Sequence, residues 1–196
     1  STAETTVVAN DVLGKINFKA PLEASGTDAI LVGASIHALA TDTFAADNNA
    51  TDLIFSTGAS ETATEKARIS SDGKLGIGTG GNVDELLHVQ NDSNNAVIKI
   101  EAGSSGTGAR LQMISATNDT AEFYLGDSGD SNIGRISYNH TNNYLAIHTN
   151  DTEHLRLDSN GKLGIGETSP TGYVHISPPS GNAPTMYFEQ YTSATD

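Results

Sequence analysis

Short runs of alternating hydrophobic and polar residues recur along the chain, and clusters of Gly, Asn, Asp, Ser and Thr separate them. Such runs, for example Val97-Ile98-Lys99-Ile100-Glu101, are typical of short strands with one apolar face. The apolar stretch at 29–40 is compatible with a helix or a strand, and we favour a strand. The pattern predicts an all-β fold, an elongated repeat rod of short strands and hairpins, with strands at 14–18, 53–57, 67–70, 74–78, 85–90, 96–101, 109–115, 121–125, 134–138, 144–149, 154–158, 162–166, 173–177 and 186–191.

A fifteen-residue motif occurs twice in the chain, 88 residues apart. Residues 65–79 read EKARISSDGKLGIGT and residues 153–167 read EHLRLDSNGKLGIGE, so that nine of the fifteen positions are identical. A hydrophobic-His-hydrophobic triplet follows each copy, at 87–89 and at 174–176. Repetition of this kind predicts that one supersecondary unit is used twice.

Weaker similarity upstream of the motif extends the repeat. Residues 13–18 resemble residues 133–138, and residues 53–57 resemble residues 145–149. We expect the chain to be a piece of a longer array. The predicted division is module one at 1–90 with an insertion at 19–51, a β spacer at 91–126, module two at 127–177, and the start of a further spacer, truncated, at 178–196.

Each copy of the motif carries a dipeptide that favours a tight hairpin turn, Asp72-Gly73 in the first and Asn160-Gly161 in the second. Both central residues of a type I′ turn need φ > 0, and Asn, Asp and Gly tolerate that conformation best. A two-residue loop of this type predicts that Ile69 pairs with Gly76.

Glycine alternates with Leu and Ile after each predicted turn. In a strand, this spacing produces one bare backbone face and one aliphatic face, so that a neighbouring chain can approach closely. The turn dipeptides and these glycines together are the structural positions that we single out: Asp72, Gly73, Gly76, Gly78, Asn160, Gly161, Gly164 and Gly166.

Composition and charge exclude several functional classes. The net charge is −14, and the ten Lys and Arg residues are scattered, whereas nucleic-acid binding requires clustered basic residues. We therefore expect no nucleic-acid partner. The longest apolar run is about twelve residues, too short to span a bilayer, so we expect no membrane insertion. The chain has no Cys, which excludes disulfides.

The modules contain little material for a core. Hydrophobic residues make up 36% of the chain and aromatic residues 6%. Modules of about 50–80 residues bury little surface alone, and open strand edges invite pairing with other chains. We therefore expect identical chains to wrap around a common axis as an intertwined homo-oligomer.

Three motifs suggest chemistry, and each has a simpler interpretation. Residues 76–81 match the dinucleotide fingerprint G-x-G-x-x-G, but they lack the following helix that such a site needs. Residues 126–129 match the nucleophile tetrapeptide of chymotrypsin-like proteases in a context that is typical of a turn. Asp127, Asp130 and Asn132 do not complete a calcium-binding loop. We predict no catalytic residue and no cofactor.

His88 and His175 occupy equivalent positions in the two copies. In an assembly on a threefold axis, three imidazoles could meet and bind a metal ion. The alternative is a histidine that packs or forms a hydrogen bond within a strand, and the lack of a His-x-His pair favours it. We therefore assign no metal and keep these two residues as weak candidates.

The repeated motif resembles a stretch of bacteriophage tail fibres, above all those of marine and cyanobacterial phages, in which E-R-M-R-I-x-S-x-G-x-V-G-I-G-T precedes S-P and L-H-V. Residues 65–79 with 87–89 are similar to one instance, and residues 153–167 with Ser169-Pro170 and 174–176 to another. The resemblance covers about two thirds of the chain. It implies a homotrimeric, rod-like fibre on the virion tail, extracellular, that contacts other tail proteins and a host-surface glycan or protein during host attachment.

Two alternatives stay open beside a non-catalytic structural segment of such a fibre. A tailspike polysaccharide depolymerase would need two carboxylates about 5–10 Å apart, and the acidic residues here lie in no aromatic-rich segment. A cellular extracellular adhesin or filament protein would share the strand pattern and the charge. The sequence does not separate this last class from a phage fibre.

Overall fold

All regular secondary structure in the computed structural model, which describes residues 5–20, 26–104, 106 and 108–177, is β-strand. The all-β prediction is confirmed. The same residues contain no helix of the length and hydrophobicity that crossing a membrane requires. The strands are β1 (Val12–Phe18), β2 (Ala34–Ala40), β3 (Thr51–Thr57), β4 (Thr64–Ile69), β5 (Leu75–Ile77), β6 (Leu87–Val89), β7 (Thr120–Leu125), β8 (Gly134–Asn139), β9 (Tyr144–Thr149), β10 (Thr152–Leu157), β11 (Leu163–Ile165) and β12 (Val174–Ile176).

The strands form two six-stranded sheets of the same topology. In each sheet the strands are neighbours in chain order, β1 to β6 in the first and β7 to β12 in the second. Neighbours are antiparallel except for the last pair of each sheet, β5–β6 and β11–β12, which is parallel. The chain divides into two compact units, residues 1–99 and 100–196, with one sheet in each.

The shared topology shows which strands are equivalent. The third strands, β3 and β9, correspond as the similarity of 53–57 to 145–149 indicated. Residues 13–18 and 133–138 are not structurally equivalent, although their sequences are similar, because β1 is the first strand of its sheet and β8 is the second strand of the other. Short β patterns with the same alternation resemble one another whatever position they occupy in a sheet. The counterpart of β8 is β2, inside the predicted insertion, and β7 lies inside the predicted spacer; the module boundaries themselves stay a prediction.

Several predicted strands differ from the structure. Residues 96–101 and 109–115 belong to no strand of the described chain, and the stretch 29–40 is strand only from Ala34 onward. Alternation makes a segment suitable for a strand, but a neighbouring strand must supply the hydrogen bonds. The strand predicted at 186–191 lies outside the described residues.

The hairpin between β4 and β5 has a three-residue loop rather than two residues. Ile69 pairs with Leu75, and the amide of Ser70 donates to the Lys74 carbonyl at 2.9 Å. Gly73 has φ 85° and Gly161 has φ 76°, whereas the preceding Asp and Asn do not have positive φ. This is a type I turn followed by one left-handed residue. The predicted type I′ turn and the Ile69–Gly76 pair are therefore wrong by one residue.

The observed register sorts the side chains onto two faces. Leu53, Ile69, Leu75 and Leu87 form one row across the first sheet, and Phe55, Ala67, Ile77 and Val89 form the next row on the same side. The second sheet repeats these rows with Leu145, Leu157, Leu163 and Val174, and with Ile147, Leu155, Ile165 and Ile176. We call this side of each sheet the apolar face. The opposite side carries the rows Ile54–Arg68–Gly76–His88 and Ala146–Arg156–Gly164–His175, and we call it the polar face.

Replacing Gly161 by Ala should destabilise the second unit by about 1 kcal/mol, because a left-handed backbone costs an L-residue that amount. Nothing lies within 4 Å of a Cβ built at Gly161, so the effect isolates backbone conformation. Urea unfolding followed by circular dichroism measures the loss. Gly81→Ala is the matched control, since Gly81 also has open space around it and lacks a positive φ. Equal losses in both variants would contradict the assigned turn.

Candidate assembly surface

The apolar face of each sheet is open to solvent in the isolated chain. In the first sheet its residues Leu53, Ile69, Leu75, Ile77 and Leu87 are 37–54% exposed. The second sheet shows the same, with 36–59% exposure for Phe123, Ile136, Ile147, Leu157, Ile165 and Val174. A contiguous apolar surface of this kind marks an interaction site in a soluble protein.

The polar face is the covered one. Its buried residues are small or charged, and Ser35, Asp52, Ser56, Arg68 and Ser137 are no more than 9% exposed. Among the described residues, the buried hydrophobic side chains are confined to Ala40, Ile54 and Ala146, and no large side chain is fully buried. Globular domains normally bury their large aliphatic side chains. Each sheet is therefore inverted with respect to an ordinary globular core.

The connection between β5 and β6 covers the polar face, and the strand glycines make room for it. A Cβ built at Gly76 would overlap the Thr79 side chain and would lie 2.7 Å from Val83 Cγ2. A Cβ at Gly164 would overlap the backbone of Glu167. The close approach that these glycines permit is therefore made by the same chain, and the expectation that a neighbouring chain makes it is wrong.

An arginine clasp lies on the polar face of the first sheet. Arg68 donates from Nε and Nη2 to the two Glu65 carboxylate oxygens at 2.8 and 2.7 Å, and from Nη1 to Asp52 Oδ2 at 2.6 Å. The second Asp52 oxygen accepts the Ser71 amide at 2.8 Å, which ties the clasp to the hairpin loop. The hydrogen bonds that Arg68 donates to Glu65, followed by the other carboxylate contacts, raise the pKa of Arg68.

The second sheet keeps the clasp but changes one partner. Arg156 donates to both Glu153 oxygens at 2.7 Å. Tyr144 occupies the position of Asp52, and its ring centroid lies 3.7 Å from Arg156 Cζ. A cation–π contact thus replaces an ion pair. The hydrogen bond that Arg156 donates to Glu153 is the main cause that raises the pKa of Arg156.

A β-bulge makes the clasp possible. Residues i and i+3 of a regular strand point to opposite faces. In β4, however, Ala67 pairs with Phe55 and Glu65 with Ser56, so Lys66 is an extra residue that returns Glu65 to the face of Arg68. His154 is the extra residue in β10.

The last glycine of the motif completes the bulge. The amide of Gly78 donates to the Lys66 carbonyl at 2.9 Å, and that of Gly166 donates to the His154 carbonyl at 2.8 Å. Both glycines have positive φ, 75° and 68°. The sequence prediction assigned no role to the Glu and Arg that the two copies share. Their repetition at the same i, i+3 spacing, with the Glu just before and the Arg within the strands predicted at 67–70 and 154–158, was the available signal.

His88 and His175 lie on the polar face, in register with Gly76 and Gly164. His88 Nδ1 accepts the Asp84 amide at 3.4 Å, and His175 Nδ1 accepts the Thr171 amide at 3.5 Å. No group of three or more His, Cys, Asp or Glu suited to a metal ion exists within the described residues.

Two other histidines, His37 and His148, each have a buried ring nitrogen. The Nδ1 atom of each is buried and has no hydrogen-bond partner in the described structure. Burial lowers the pKa of both, and Lys15 for His37 and Arg135 for His148 lower it further. His148 Nε2 lies 3.9 Å from Glu153 Oε2, which opposes this shift. Both imidazoles are therefore neutral at pH 7.

No family model and no curated protein matches this sequence. Its fold is that of a phage tail-fibre domain. The carboxy-terminal domain of the bacteriophage T5 L-shaped tail fibre is similar with a TM-score of 0.64 at 15% sequence identity, over 98% of this chain and 92% of that one. The form of that domain with its intramolecular chaperone domain has the same TM-score and identity, over 100% of this chain and 64% of that one. At this identity the likeness concerns the fold.

Arg68→Ala should destabilise the first unit by about 3 kcal/mol, because it leaves the carboxylate of Asp52 buried without its cation. Arg156→Ala should cost the second unit about 1 kcal/mol, because its partners are a more exposed carboxylate and an aromatic ring. Hydrogen exchange read by mass spectrometry reports each unit separately. The variant Asp52→Ala/Arg68→Ala should recover part of the loss, and equal effects at the two arginines would refute the assigned difference.

Acidification should destabilise the protein through His37 and His148. An imidazole in the unfolded chain titrates near pH 6.5, and the pKa values of these two histidines in the folded chain are lower. The folded state therefore binds fewer protons, and the free energy of unfolding decreases as the pH falls below about 6.5. Between pH 7 and pH 5 the thermal midpoint of the natural protein should fall more steeply than that of the variant His37→Gln/His148→Gln. Parallel curves would show that other groups cause the loss.

Proposed function

We propose that this chain is a structural segment of a homotrimeric phage tail fibre that takes part in host attachment and has no catalytic role. The observation that carries the proposal is the open apolar face of both sheets, in a chain with the fold of a tail-fibre domain. A single-layer sheet needs a second layer to bury such a face. Identical copies supply that layer in a closed symmetric assembly.

The polar face supports the same orientation of the sheets. It carries the clasp and the buried Nδ1 atoms of His37 and His148, and the connection that follows β5 or β11 covers its glycines. With the apolar faces turned toward the axis, these charged groups remain on the outside. The net charge of −14 per chain then faces solvent, where ions screen the repulsion between copies.

The number of copies and the partners follow from the resemblance of the motif to trimeric fibres. We propose that the segment lies in the virion tail outside the cell, connects to other tail proteins along the fibre, and transmits contact with a host-surface glycan or protein. Exposed loops are the places for any direct contact with the host, since loops on a rigid scaffold commonly carry binding residues. Antibodies against the protein should label tail fibres in micrographs of virions; labelling of cell surfaces would instead support an extracellular filament.

Ile147→Glu should dissociate the trimer, because three copies of the new carboxylate would be buried together in the apolar faces. Native mass spectrometry and sedimentation equilibrium should show three chains for the natural protein and one for this variant. Ser159→Glu, which adds the same charge in an exposed hairpin turn, is the control and should remain trimeric. A natural protein that is a stable, compact monomer would overturn the proposal.

A further inference from the structure

We infer that the described residues of the segment 91–116, which connects the two units, contribute β-structure between copies of this chain. The two alternating stretches of this segment, 96–101 and 109–115, pair with the stretches of a second copy. The inference rests on the proposed homotrimer and extends it from the sheets to the connection between them.

The side chains of this segment carry the inference. Val97, Ile98 and Ile100 are 73%, 66% and 48% exposed, and Leu111, Met113 and Ile114 are 67%, 49% and 81% exposed. Most of these values exceed those of the apolar faces. Ile98 and Ile100 are two residues apart, as are Leu111 and Met113. Each stretch therefore presents these two side chains on one face when it is extended. Apolar residues at this spacing need a covering layer as much as the sheets do.

The charge of the segment favours a second copy as the partner. Residues 91–116 contain two acidic residues, Asp92 and Glu101, and two basic residues, Lys99 and Arg110, so their net charge is zero. The whole chain has a net charge of −14. Copies can therefore meet along this segment without the repulsion that opposes contact elsewhere.

The position of the segment in the chain brings its copies together. It follows β6, which ends at Val89, and precedes β7, which begins at Thr120. In the proposed homotrimer, every copy of the segment is tethered at each end to an assembled sheet. Such tethering raises the local concentration of the stretches and lowers the entropy cost of pairing.

Hydrogen exchange of the assembled full chain tests the inference. Amides at 97–100 and 111–114 should exchange at least 100-fold more slowly than in an unstructured peptide. Ile98→Asp/Met113→Asp should abolish that protection while β8 to β10 stay protected. The control Ser93→Asp/Ser104→Asp adds the same charges at exposed positions of the same segment and should leave the protection unchanged.

The outcomes separate this inference from the proposed function. A trimer whose connecting segment exchanges at the rate of an unstructured peptide would overturn the inference and leave the fibre proposal standing. Protection that persists in the monomeric variant Ile147→Glu would also overturn it, since the pairing would then occur within one copy. A natural protein that is a monomer would overturn both.

Discussion

The structure depends on one constraint: each sheet of this chain is a single layer that carries most of its large aliphatic side chains on one face. Among the described residues, Ile54 is the largest hydrophobic residue that is buried, while the rows that include Leu53 and Ile147 stay exposed to solvent. Hydrophobic burial is the main favourable term in folding, and here many side chains of the apolar faces stay 36–59% exposed in one chain. In the proposed homotrimer, assembly would therefore add to the stability of each folded unit.

The polar face carries the interactions that fix the geometry of each sheet. A bulge at Lys66 or His154 turns Glu and Arg to one side, and the amide of the glycine directly after β5 or β11 donates to the carbonyl of the bulged residue. The two copies preserve this geometry although one arginine contacts Asp52 and the other contacts Tyr144. The repeat thus preserves a backbone arrangement, and the partner that neutralises the arginine is exchangeable.

The sequence predictions were wrong where the local pattern does not determine which residues of neighbouring strands pair. Asp72-Gly73 fits a two-residue turn as well as a three-residue one, and only the pairing of Ile69 with Leu75 decides between them. That single residue determines that the glycines share a face with Arg68. The bulge also could not be predicted from the sequence, because the extra residue Lys66 is of a type that occurs in regular strands too.

The sequence by itself determined the all-β class, most of the strands, the presence of a hairpin in each copy, and the need for glycine at the repeated positions. These properties are local, since alternation and turn chemistry act over a few residues. Only the tertiary structure decided the strand register, the place of β2 and β7 in the sheets, and the fact that the glycines admit the chain's own connection. Each of these depends on contacts between residues far apart in the chain. In the repeated motif, the strand glycines Gly76 and Gly164 lie on the polar face with the arginine of each copy, against the same chain, and the Leu and Ile side chains lie on the apolar face.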